Sequence, residues 1–194
     1  MMLTRIFTIL FLLTNSINTF SQTEASGNQS GTWTTDSAPY PVVGEIIVPP
    51  DQTLHIEAGV VISFEGHYKF TVNGTLLAMG TESDSIFFTT DDPVTGWHGV
   101  RLTELQSGSN LIYCRIEYGK TSGSNFPDQH GGGIMLHGSN AIVDHCTFAN
   151  NDASADDNGM GGAIYGINTS GQTQITNCSF INNRICLWGN NNCC

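Results

Sequence analysis

The chain has 194 residues, 22 of them glycine, with 12% charged and 39% hydrophobic residues and a formal net charge of −11. That composition suits one turn-rich β domain. Six Lys and Arg against 17 Asp and Glu provide no clustered basic surface for phosphate, which argues against nucleic acid and anionic membranes as partners.

Met1–Arg5 forms a short basic start, Ile6–Leu13 an apolar run, and Thr19-Phe20-Ser21 a small-residue spacing at its first and last positions. Residues 1–21 therefore read as a secretory signal peptide, the apolar run being too short to span a bilayer. The expected location is extracellular, or the bacterial cell surface or outer membrane, with no transmembrane segment. Residues 22–45 begin polar and Gly- and Ser-rich, as expected of a leader or N-terminal cap.

From 46 to 184 the pattern is periodic. Short β-branched and aromatic segments at 46–48, 54–56 and 60–64 return at 69–72, 75–78 and 85–89, three to a unit and bounded by turn residues. Further on, GGGIMLH (131–137) with AIVDHCTFANN (141–151) returns as GGAIYGI (161–167) with ITNCSFINN (175–183). Cys114, Cys146 and Cys178 fall 32 residues apart. A period of this size marks a stacked array, because a single unit has no partner for its own apolar face. The expected columns are Val100, Ile134 and Ile164 in one place and the three cysteines in another.

GGxI followed by FxxN, here Phe148–Asn151 and Phe180–Asn183, resembles the repeat of polymorphic outer membrane proteins. More broadly the chain is similar to secreted proteins of the pectate-lyase-like superfamily. That resemblance implies an all-β fold, a right-handed single-stranded parallel β-helix or solenoid of about five coils. Residues 185–194 abandon the pattern, so the array is expected to be C-terminally incomplete, truncated or frame-shifted, with downstream coils of its own full-length chain as a partner.

Six cysteines in an exported chain ordinarily read as disulfides. One equivalent Cys per unit points instead to an inward column of buried thiols, ahead of disulfide bridges or zinc. Asn151 and Asn183 recur at matching places and are expected to form a structural ladder of hydrogen-bonded amides. Asp91, Asp92, His98 and Arg101 loosely resemble the groups of β-helical polygalacturonases. Their crowding into one turn and one strand reads better as structure, so no catalytic residue and no cofactor is assigned. Asp152, Asp156, Asp157 and Asn158 are a calcium candidate set whose spacing matches no established calcium loop. Histidines 55, 67, 98, 130, 137 and 145 are scattered and read as turn or surface residues.

The leading functional reading is a noncatalytic secreted or cell-surface module for adhesion or contact with an extracellular glycan or host surface. The alternatives are a fragment of a polysaccharide lyase or glycoside hydrolase with its active site on missing coils, and a structural spacer.

Overall fold

The computed structural model describes residues 23–103, 108–154, 158–169 and 172–185. The expected signal peptide and most of the C-terminal tail lie outside them. Among the described residues the regular structure is nearly all strand. In order these are β1 (Ala25–Asn28), β2 (Gly31–Trp33), β3 (Tyr40–Val48), β4 (Thr53–Glu57), β5 (Val61–Phe64), β6 (Phe70–Val72), β7 (Thr75–Met79), β8 (Ile86–Thr89), β9 (Val100–Leu102) and β10 (Gly108–Ile112). There follow β11 (Cys114–Glu117), β12 (Ile134–His137), β13 (Asn140–Asp144), β14 (Thr147–Ala149), β15 (Asp152–Ala153), β16 (Ile164–Ile167), β17 (Gln174–Thr176), β18 (Ser179–Ile181) and β19 (Arg184–Ile185).

Strands pair with partners about three places along the chain, and every pairing among the described strands is parallel. Three columns result. The first runs β3-β6-β9-β12-β16, the second β2-β4-β7-β10-β13-β17, and the third β3-β5-β8-β11-β14-β18. The long strand β3 belongs to two columns, pairing with β5 through Tyr40–Val42 and with β6 through Ile46–Val48, and so joins them into one curled sheet. The segment 22–45, expected as a leader or cap, carries strands too: β1 pairs with β3, and β2 pairs with β4. Its short polar strands lack the apolar triplets by which the later ones announce themselves, and Ala25 and Trp33, the latter buried opposite Ile56, mark the layer.

Alternate residues of each strand point inward and stack on their counterparts. Ile46, Phe70, Val100, Ile134 and Ile164 share one register position in the first column. In the second, Ile56, Ala78, Leu111, Val143 and Ile175 do so. Tyr40, Ile62, Phe88, Ile116, Phe148 and Phe180 line the third. Most are fully buried, but Ile175 is 44% and Phe180 54% exposed, because no described strand stacks on the outer side of β17 and β18.

The corners explain the 32-residue period. Tyr113, His145 and Asn177, each just before a cysteine, have φ of 48°, 52° and 51°. Tyr118, Asn150 and Asn182 have φ of 61°, 56° and 52°. Left-handed backbone is uncommon outside glycine and commonest at Asn, Asp and His, so these are sharp bends kept at equivalent places. Gly99, at φ 75°, makes a similar bend before β9, where a Cβ would strike the Gly132 carbonyl.

The residue after the second bend is the ladder. Gly119 N–H donates to Asn151 Oδ1 at 2.8 Å, and Asn151 N–H donates to Asn183 Oδ1 at 3.1 Å. Asn151 Nδ2 reaches Ile116 O at 3.0 Å and Asn183 Nδ2 reaches Phe148 O at 2.9 Å. Asn151 is completely buried. Asn151→Ala strands the Gly119 donor and the Ile116 acceptor in the interior, so it should cost roughly 2–4 kcal/mol. Urea unfolding measures it, and a midpoint equal to wild type would count against the ladder's role.

Candidate functional site

Asp91 and Asp92 are exposed. Asp92 Oδ1 accepts from the Val94 and Thr95 N–H groups at 3.0 and 3.2 Å, and Thr95 above all holds its carboxyl below the ordinary value. Thr90 Oγ1 accepts the Asp92 N–H at 3.1 Å and donates to Phe64 O at 2.7 Å. This closed turn delivers Trp97 into the core, where the indole stacks on Phe64 at 4.1 Å and donates to Glu117 O at 2.8 Å. The Asp92 carboxylate serves the turn.

His98 and Arg101 belong to a different cluster. Arg101 pairs with Thr71 and Met135, an outward position on the first column, yet it is only 3% exposed and Met135 is fully buried. The cause is the segment 119–133, which folds back over this face. Arg101 Nη1 donates to His130 O and Gly131 O at 2.7 and 2.6 Å, while its Nε and Nη2 have no hydrogen-bond partner. Lys69 Nζ meets Asp128 Oδ2 at 2.8 Å. His130 stacks on Tyr165 at 4.4 Å and its Nδ1 accepts the Met160 N–H at 3.2 Å. That leaves the His130 proton on Nε2, 3.2 Å from the Gln129 amide, whose oxygen accepts it after a half-turn of the amide.

His98 sits at the centre, 2% exposed, with Nδ1 3.0 Å from Ser122 Oγ and Nε2 3.2 Å from Asp128 O. Asp128 Oδ1 is 3.8 Å from Nε2, and the His67 ring lies edge-on at 5.0 Å. Serine, histidine and aspartate together invite comparison with an acyl-transfer triad, but the electrostatics oppose it. Burial first, then Arg101 and His67, push the His98 pKa down to about 3, and the nearby Asp128 carboxylate only partly offsets this. A general base must hold a proton during the reaction, and here the imidazolium is the disfavoured form. The cluster latches the strap 119–133 onto the sheet. Sequence spacing revealed none of Ser122, Asp128, His67, Lys69 and His130 as its members, because the contacts depend on a loop folding back; the one sign was the long stretch between the third and fourth repeat units.

The other sequence candidates stay apart. Asp152 Oδ1 caps the Ser154 N–H at 2.9 Å; Asp156 and Asp157, two members of the calcium candidate set, lie outside the described residues. Among the described residues, no group of three or more His, Cys, Asp or Glu is placed to hold a metal ion. His137 meets Phe126 edge-on at 5.2 Å, while His145 stacks on Tyr113 at 4.6 Å and contacts Asp144, so the two do not converge. Asp144 is drawn down to about 2 by hydrogen bonds from Thr176, Asn177 and His145. Cys114, Cys146 and Cys178 are free thiols, each one residue before the register set Arg115, Thr147 and Ser179. The Cys114 N–H donates to Cys146 Sγ at 3.4 Å, and burial pushes the Cys114 thiol well up.

No family model, no curated protein and no solved structure matches this chain. The likeness to β-helix proteins rests on the repeat residues and the parallel-stranded fold.

The His98 environment carries a sign. Its folded pKa lies below the unfolded value near 6.5, so the unfolded chain binds the extra proton between them and stability falls as pH drops from about 6.5 toward about 3. Burial and Arg101 lower His130 in the same direction. Carboxylates titrate in the lower part of that window, so urea midpoints compared at pH 7 and pH 5 are the measurement. Wild type should lose stability over this interval and His98→Asn should lose less; identical losses would count against a neutral buried His98.

Proposed function

We propose that this chain is a noncatalytic repeat module of a secreted or cell-surface protein, contacting glycan or another surface along a right-handed parallel β-helix of about five coils. The observation that carries this reading is the latch. His98 and Arg101 on the first column are buried beneath the strap and tied to main-chain carbonyls, while the Asp92 carboxylate serves a turn. Catalysis needs a proton-transfer group within reach of a bound substrate, and the described residues offer no such convergence.

Two features support a contact role. Parallel sheets are ordinarily covered on both faces, but the second column turns one face outward, with Glu57, Met79, Ile112, Asp144 and Thr176 in register along it. Met79 and Ile142 on this face are 41% and 37% exposed. Side chains repeated at the strand spacing of about 4.8 Å suit an extended, repetitive ligand. The polymorphic-repeat resemblance and the expected export signal agree with a surface location, and the net charge of −11 favours solubility outside the cell.

The test pairs a glycan array with an assay for newly formed reducing or unsaturated ends. The expected outcome is retention on glycan with product at the blank level, unchanged in Asp91→Ala and His98→Ala. Turnover by wild type that His98→Ala abolishes would replace this reading with an enzymatic one.

A further inference from the structure

The latch leaves polar atoms unmet. Among the described residues five buried side-chain nitrogen and oxygen atoms have no hydrogen-bond partner, and four of them belong to Arg101 or to the strap that covers it: Arg101 Nε and Nη2, Thr121 Oγ1 and Gln129 Oε1. Native interiors rarely leave such atoms unpaired, so their concentration beneath one segment marks a place where a further group belongs. The Arg101 share of these atoms has a definite shape. Nη1 is engaged by the His130 and Gly131 carbonyls at 2.7 and 2.6 Å. Nε and Nη2 form the side edge of the guanidinium, whose two N–H bonds run parallel and grip one acceptor between them. That edge is the unused part of a side chain only 3% exposed. Once the Gln129 amide is turned so that its oxygen accepts the His130 Nε2 proton, the atom at its orphaned position is an NH₂ donor as well. The strap covers donors in excess of acceptors.

The local charge has the matching sign. Burial lowers the Arg101 pKa only to about 10, so the guanidinium stays protonated at neutral pH, and Asp128 is the one charged group among the described residues that acts on it. The Asp128 carboxylate is already bonded to Lys69 at 2.8 Å, and burial holds both His98 and His130 toward their neutral forms. Arg101 and Lys69 against Asp128 leave one positive charge over, in surroundings where an unpaired charge is strongly disfavoured. A water molecule at the Arg101 edge would take the hydrogen bonds and leave the charge; a divalent oxyanion would overshoot it.

We infer that the strap 119–133 closes over one compact monovalent anion of chloride size, gripped by the Nε–Nη2 edge of Arg101. It is compact because Arg101 and its register neighbour Met135 are all but closed to solvent. The anion is structural: it completes the latch between strap and first column, and it stands independently of any contact made by the outer surface.

Thermal melting of the full chain at increasing sodium chloride, with the ionic strength held constant by sodium methanesulfonate, tests it. The melting temperature should rise with chloride and then level off, by about 3 °C or more, as a ligand held by the folded form alone requires. Arg101→Lys keeps a cation and removes the edge, and Arg101→Met installs the side chain that stands at the next level in register; both should flatten the chloride response. Crystals of the wild type grown in bromide give a readout that needs no variant to fold, with anomalous signal expected in contact with both Nε and Nη2 of Arg101. A wild-type melting temperature indifferent to the chloride fraction would overturn the assignment. So would a chloride response undiminished in the folded variants, or water seated at the Arg101 edge in the bromide crystals.

Discussion

Everything in this molecule depends on keeping equivalent residues directly above one another. In a parallel column each side chain meets its counterpart on the next strand, and a slip of one residue would turn an inward set outward. Here the register is enforced at the corners more than within the strands, which are only three to five residues long over most of the chain. Tyr113, His145 and Asn177 bend the chain at one corner and Tyr118, Asn150 and Asn182 at the next, all in left-handed backbone. Each non-glycine residue held there costs about 1–2 kcal/mol, which the stacked core and the amide ladder offset. Asparagine, the residue that tolerates this conformation best, occupies half of the six positions.

The strap shows a second constraint, the burial of charge. Arg101 sits where its counterparts in register are Thr71 and Met135, and without the segment 119–133 it would be an ordinary exposed cation. Covered, it requires acceptors, and the His130 and Gly131 carbonyls provide them for one nitrogen. Its positive charge then helps to keep His98 neutral, as does the burial of His98 itself. Burial of His98, reinforced by the neighbouring cation, thus keeps the imidazole neutral, and the result is adhesion of loop to sheet in a place whose residue types resemble those of a reaction centre.

Periodicity made the columns legible in the sequence. Phe148 and Phe180, Ile134 and Ile164, and the three cysteines announce their positions because identical or similar side chains recur at one spacing, and a stacked array is the physical consequence of that recurrence. The recurring FxxN likewise exposed Asn151 and Asn183. What lay hidden has one cause: it depends on segments without a repeat. Strands β1 and β2 are short and polar, so alternation does not reveal them, and only pairing with β3 and β4 makes them strands. Asp128 and Ser122 come within reach of His98 through the strap's return, a tertiary event that local spacing does not encode. Lys120, Asp152 and Arg184 do lie 32 residues apart, but their chemical types differ at each step, so conservation of position was masked by change of charge.

The asparagine ladder has a consequence for how such a chain can change in length. Each rung hands its hydrogen bonds to an equivalent residue 32 positions away, so the joints between neighbouring units are interchangeable. Gain or loss of one whole unit would rejoin rung to rung and leave the remaining bonds as they were. A change of a single residue within a strand would instead bring Thr147 to the inner face in place of Cys146 and unhook everything beyond it. Length variation in this architecture is therefore quantised, and the quantum is set by hydrogen bonding at one buried amide.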